Sequence, residues 1–193
     1  MSRITRSATV ARSGSSLAHA DLAAELPGVA VTCEGEITLF GMAGSRTVRA
    51  ADFFTGPLST LRQPDDIVTE LHLPKWPRAR RWAFRKYARR EGDFALAGIL
   101  LFYDEDREGV LINPHVGVIG ACRHPHRLTG VETLLDGHAI DDGLIRQVAA
   151  MAAEEVDPPD DLHADAAYRR GLVATLVERG LRGAAQQGSA QCG

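Results

Sequence analysis

The chain has 193 residues, 45% of them hydrophobic and 24% charged, enough for one large or two small domains and a core that removes about 70% of the unfolded surface from water. That composition excludes wholesale disorder, and 22 Lys and Arg against 25 Asp and Glu leave no basic excess for nucleic acid. The longest apolar run, residues 94–103, contains Gly98 and falls short of the roughly 18–20 residues that span a bilayer.

The amino terminus, MSRITRSATVARSGSS, is basic but lacks the apolar stretch of a secretory signal. Residues 1–16 read as loop. Residues 22–31 (LAAELPGVAV) read as a short helix ended by Pro27-Gly28 and followed by a strand. Residues 37–40 and 47–48 flank a turn at 41–45, which predicts a β-hairpin. Asp52-Phe53-Phe54 suggests a brief helical turn. In IVTELHL, residues 67–73, Ile67, Thr69, Leu71 and Leu73 share one face of a half-buried strand that ends at Pro74.

PKWPRARR, residues 74–81, is proline-rich and basic, and reads as a linker. Three strands follow, over residues 82–87, 94–103 and 110–122, the last two joined by the polar turn DEDREG. Leu144, Val148, Met151 and Ala152 fit a helix capped by Asp141 or Asp142 and broken at Asp157-Pro158-Pro159. A last helix is expected over residues 166–181. Tyr168, Leu172, Leu176 and Gly180 fall four apart in it, beside Val173 and Val177, while Arg169, Arg170, Glu178 and Arg179 lie largely off that stripe. The tail, residues 186–193, has nothing to bury. Strands followed by helices make an α+β layout. Cys33, Cys122 and Cys192 are odd in number and widely spaced, which fits no zinc or disulfide pattern and points to a cytoplasmic setting.

Two segments carry candidate chemistry. In SGSSLAHADLAAELP, residues 13–27, small residues and hydroxyls before a helix suit a phosphate or a sugar; the same residues also suit a serine-rich loop that caps the helix through Ser16 or Asp21. In WAFRKYARREGDFALAG, residues 82–98, basic and aromatic residues interleave. That suits a flat anionic cofactor or a single-stranded nucleic acid, or else a strand edge blunted by charge. His124-Pro125-His126 has no Cys, Asp or Glu in ligand spacing, so no metal site is expected. No nucleophile elbow is present, and no catalytic residue is assigned.

SLAHADLAAELP, AADFFTGPLST, DDIVTELHLP, FRKYARREGDFALAG and DLHADAAYRRGLVATLVERGL occur in this order. Together they resemble the FAD-binding medium subunit of the molybdenum hydroxylases, the family of aerobic carbon monoxide dehydrogenase and xanthine dehydrogenase-type enzymes. The resemblance implies an oxidoreductase subunit that passes electrons from iron–sulfur centres through FAD to an external acceptor. It implies as partners a large subunit with the molybdenum cofactor and a small subunit with [2Fe-2S] clusters. It also implies a partial FAD-binding subdomain over residues 1–75, then a carboxy-terminal subdomain over residues 80–185 with a three-stranded antiparallel sheet and packed helices.

Family members begin with a further subdomain that carries a first glycine-rich loop, and only twelve residues precede Ser13 here. The second loop departs from its usual pattern at Arg12, Ser13, Gly14 and Ser15. The resemblance therefore implies a shortened medium subunit with a weakened hold on FAD, or a cofactor-free subunit with a structural or docking role. Carried over residue by residue, Gly14, Ser15 and Ser16 match the loop whose backbone approaches the cofactor, and His19 lies beside them. Glu25 matches a carboxylate that bonds the cofactor, Lys86 or Arg85 a cation near the flavin, and Phe94 a residue packed near its ring.

Overall fold

The computed structural model describes residues 10–90 and 92–187. Its first part comprises α1 (Val10–His19), α2 (Glu25–Thr32), β1 (Glu36–Gly41), β2 (Gly44–Arg49), α3 (Ala50–Phe53), β3 (Phe54–Gly56), β4 (Ser59–Thr60) and β5 (Ile67–His72). The expected hairpin is β1–β2, and β5 pairs antiparallel along the other side of β1. Ile37 and Leu39 of β1 pack with Leu17 of α1, Val31 of α2 and Phe53 of α3.

Three expectations change here. Residues 10–16 are helix, not loop, continuous with Leu17 of the same helix, which is buried in the small core. α2 runs through Pro27-Gly28 to Thr32, so no strand follows it there. Pro27 sits in the first turn, where the proline's missing N–H would have had no helical partner. In β5 the extra residue Thr69 shifts the register between Thr38 and Leu39. Val68 therefore pairs with Leu39 and Leu71 with Ile37 against the core, while Ile67 is exposed.

The second part is a sheet of four antiparallel strands in chain order, β6 (Arg81–Tyr87), β7 (Ala97–Glu105), β8 (Leu111–Ile119) and β9 (His126–Arg127). The sequence anticipated the first three; the two-residue β9 is too short to carry a pattern. α4 (Thr129–Leu135), α5 (Asp142–Glu155) and α6 (Ala166–Gln186) follow. Asp141 is the cap of α5, accepting from the Leu144 N–H at 2.7 Å, and Asp165 caps α6 through the Tyr168 N–H at 2.7 Å.

One face of this sheet, with Ala83, Ile99, Leu101, Val116 and Val118, packs on Val148 of α5 and on Val173, Leu176, Val177 and Leu181 of α6. The stripe is rotated from the expected one: Tyr168 is largely exposed and Arg169 is buried. α6 also continues to Gln186, which removes residues 186–187 from the expected tail; residues 188–193, with Cys192, lie outside the described residues.

The other face carries α2. A Cβ on Gly117 would stand 1.8 Å from Thr32 Oγ1, and one on Gly28 2.5 Å from Ile119. The helix lies on the strands with no room for a side chain at either place. Polar links fix the far end of α2. His115 Nδ1 donates to the Thr32 carbonyl at 2.8 Å. Arg127 donates to Glu34 at 2.7 Å and to both carboxylate oxygens of Glu132 at 2.7 and 2.8 Å.

Two measurements test this account. Leu176→Ala is expected to cost about 2–5 kcal/mol in urea unfolding, the range for emptying a buried leucine site. Burial pushes the His115 imidazole below its ordinary value, so the unfolded chain takes up this proton more readily. Stability is then expected to fall as pH drops below about 6.5, and His115→Gln is expected to flatten that part of the profile in thermal melts.

Candidate functional site

Strand alternation decides which β6 side chains face α2. Trp82, Phe84 and Lys86 fall on that face, and Ala83 and Arg85 on the opposite one. Ala83 accordingly belongs to the core under α6, and the Arg85 guanidinium lies over Gly183 of α6, 2.5 Å from where a Cβ would stand. Leu100 and Phe102 of the neighbouring β7 continue the α2-side surface.

These residues wall a groove of about 530 Å³. Its floor is Trp82, Phe84, Leu100 and Phe102; Val29, Thr32 and Cys33 of the α2 region form one side, and Leu73, Pro74 and Trp76 the other. Trp76 stacks at a tilt on Phe102, with ring centres 4.8 Å apart, and the Arg80 guanidinium lies 4.6 Å from the Phe102 ring centre. Asp104 holds Arg80 there through two hydrogen bonds of 3.0 and 2.7 Å. The groove is thus aromatic and apolar, with cationic and anionic groups only at its edges, a lining suited to a flat heterocycle.

Glu25 lines the groove at the first turn of α2, and its carboxylate accepts from Lys86 Nζ at 2.8 Å. Two of the sequence-predicted site residues therefore meet. The alternation also chooses Lys86 over Arg85. Phe94 is 72% exposed in the loop that enters β7, and it is not among the residues that line the groove. Gly14, Ser15, Ser16 and His19 lie on α1, away from the groove lining. A Cβ on Gly14 would stand 3.2 Å from the Val68 carbonyl, so this glycine serves the packing of α1 on β5. Of the groove's aromatic residues, Trp82 and Phe84 fall in the basic and aromatic segment that the sequence singles out, whereas Trp76 and Phe102 carry no such signal.

The residues fit a flavin on the chemistry of this donor set: a planar apolar slot with one carboxylate to accept hydrogen bonds and one ammonium at its mouth. No group of three or more His, Cys, Asp or Glu able to hold a metal ion is found among the described residues. No described helix is long and apolar enough to cross a membrane.

Comparison with known proteins finds matches in both parts of the chain. Residues 82–184 match the CO dehydrogenase flavoprotein C-terminal domain, and residues 5–76 match the FAD binding domain in molybdopterin dehydrogenase. These matches define a class of flavoprotein. The chain belongs to the family of medium subunits of the molybdenum hydroxylases.

Among its relatives is the nicotine 6-hydroxylase medium subunit of Paenarthrobacter nicotinovorans, 31% identical over 166 residues, which are 86% of this chain and 58% of that protein. The carbon monoxide dehydrogenase of Hydrogenophaga pseudoflava that lacks the Mo-pyranopterin moiety contains a similar chain, at TM-score 0.84 and 27% identity, over 89% of this chain and 60% of that one. Quinoline 2-oxidoreductase from Pseudomonas putida 86 gives TM-score 0.84 at 28% identity, over 91% and 60%. The chain spans less than two thirds of the length of these proteins.

Cys33 lines the groove, and burial pushes its thiol up to about 11; burial pushes the Cys122 thiol up to about 12. Both are neutral at pH 7. Iodoacetamide is expected to label Cys33 slowly at pH 7 and faster as pH rises, and to leave Cys122 unlabelled until the chain unfolds, as read by peptide mass mapping.

Proposed function

We propose that this chain is the flavin-holding part of a medium subunit. It receives electrons from iron–sulfur centres of a small subunit, in a complex whose large subunit carries the molybdenum cofactor, and delivers them to an external acceptor. The observation that supports this reading most directly is the aromatic groove with the Glu25–Lys86 pair at its mouth. FAD, when bound, supplies the electron-carrying ring; the protein's part is to place and tune it.

In this reading the floor of Trp82, Phe84, Leu100 and Phe102 packs against the ring and excludes water from that side. Glu25 accepts hydrogen bonds from cofactor hydroxyl or ring N–H groups. Lys86 places positive charge where negative charge develops. Phe94 lies on an exposed loop from which it can cover a bound ring. Gly14, Ser15, Ser16 and His19 on α1 are assigned to the rest of the cofactor.

A second reading has a specific observation in its favour. Glu25 and Lys86 satisfy each other, and Gly14 to Ser16 are helical, so their backbone N–H groups bond within α1. On that reading the chain is a cofactor-free subunit with a docking role.

Titration of FAD into the purified chain, followed by quenching of flavin fluorescence, separates the two. Saturable quenching is expected. Glu25→Ala is expected to weaken it about 10- to 150-fold, from a loss of about 1.5–3 kcal/mol for a hydrogen bond to a charged group. An unquenched wild-type chain supports the docking role instead, and an unchanged Glu25→Ala removes Glu25 from the site.

A further inference from the structure

Arg169 is 3% exposed, in the first turn of α6. One of its terminal nitrogens donates to the Leu96 carbonyl at 2.6 Å and to the Gly120 carbonyl at 2.9 Å; the other donates to Asp161 Oδ2 at 2.7 Å. Its Nε is buried with no partner. Burying a guanidinium is costly even when it is paired, and α6 does not need it for packing, since Val173, Leu176, Val177 and Leu181 already form its core face. The geometry of what it bonds gives the reason for its presence.

Leu96 closes the loop that carries Phe94, and its N–H donates to the Tyr87 carbonyl at the end of β6. Gly120 begins the turn after β8, and its N–H donates at 2.8 Å to the Leu22 carbonyl, in the connector three residues ahead of Glu25. The two turns touch: Gly120 has φ +73°, and a Cβ there would stand 2.6 Å from the Ala95 carbonyl. The Phe94 loop, the β8 turn and the connector to α2 therefore meet at one point, with the guanidinium of Arg169 at its centre. Asp161, bonded by the His163 and Ala164 N–H groups, orients that guanidinium. The same segment grips the loop a second time, since Arg89 donates to the His163 carbonyl.

We propose that Arg169 is a positioning residue for the flavin site: it sets the Phe94 loop on one side against the Glu25 connector on the other. The inference rests on the flavin reading above. It assigns to the carboxy-terminal helix a role in the site that its apolar stripe does not disclose.

The test uses the full chain with Arg169→Met, Arg169→Lys and Asp161→Asn. Amide hydrogen exchange is read without ligand, and FAD affinity by fluorescence quenching. Arg169→Met is expected to speed exchange at Leu96 and Gly120 while α5 keeps its protection, and to weaken FAD binding about tenfold, the scale of one charge-assisted hydrogen bond. Lys is expected to restore part of both effects, and Asp161→Asn to show a smaller effect in the same direction. A folded Arg169→Met with unchanged local exchange, with unchanged affinity, or with exchange raised uniformly overturns the proposal. If that variant does not fold, Asp161→Asn decides by the same criteria. A wild-type chain that binds no FAD overturns the flavin reading and this role together, whereas a wild type that binds, beside unaffected variants, overturns this role alone.

Discussion

The close seating of α2 on the larger sheet is the contact on which the rest depends. With Thr32 Oγ1 only 1.8 Å from where a Gly117 Cβ would stand, and Ile119 2.5 Å from that of Gly28, any side chain at these positions forces the helix off the strands. Apolar packing alone would not fix where along the strands the helix lies, because dispersion is not directional. The polar links at its carboxy-terminal end do so. The His115–Thr32 hydrogen bond and the Glu34–Arg127–Glu132 network fasten that end to β8, β9 and α4. The amino-terminal end, with Glu25, is thereby held over the edge of β6.

The groove follows from that placement. A helix lying along one face of a sheet covers only part of it, and here the covered part is toward β8, through Gly28, Gly117 and Ile119. Toward β6 the face is left to large flat residues, and Trp82 at 50% exposed shows that it is not closed over. The segment after β5 folds back to form the second wall with Leu73, Pro74 and Trp76. Its proline-rich composition suits that task, because prolines fix an extended chain that needs few hydrogen-bond partners.

Much of this was legible in the sequence, and the failures have physical causes. The hairpin, the three main strands and the two long helices show through their periods, and the first of those helices also through its capping aspartate. The α2 helix was cut short in reading because Pro and Gly usually punctuate. Here Pro27 occupies a first-turn position that tolerates it, and Gly28 is required by a contact with Ile119, about 90 residues away, that no local pattern records. The register slip at Thr69 in β5 misplaced its apolar face for a similar reason, since a bulge depends on the partner strand. Arg169 reads only as a residue off the apolar stripe, because nothing local announces that a guanidinium bonds carbonyls from two distant turns. Glu25 and Lys86 came from family resemblance. Their meeting depended on helix placement and strand alternation together, and alternation was readable in Trp82, Phe84 and Lys86.

The pair at the mouth of the groove also bears on how such a site can stay both stable and receptive. A half-exposed ion pair contributes only about 0–1 kcal/mol, and Glu25 and Lys86 are 52% and 28% exposed. Exchanging one partner for a ligand group therefore costs little, while each charge remains near a counter-charge. The strong polar links, by contrast, are buried: Glu132 under Arg127, Arg169 under the two turns, and His115 against Thr32. Removing a partner there leaves a desolvated group unsatisfied, a loss of about 1–3 kcal/mol or more for charged groups. The molecule thus places its expensive polar contacts where rigidity is needed and a half-exposed ion pair at the mouth of the groove. That division lets a small α+β scaffold hold the groove's walls still while leaving its mouth free to change partners.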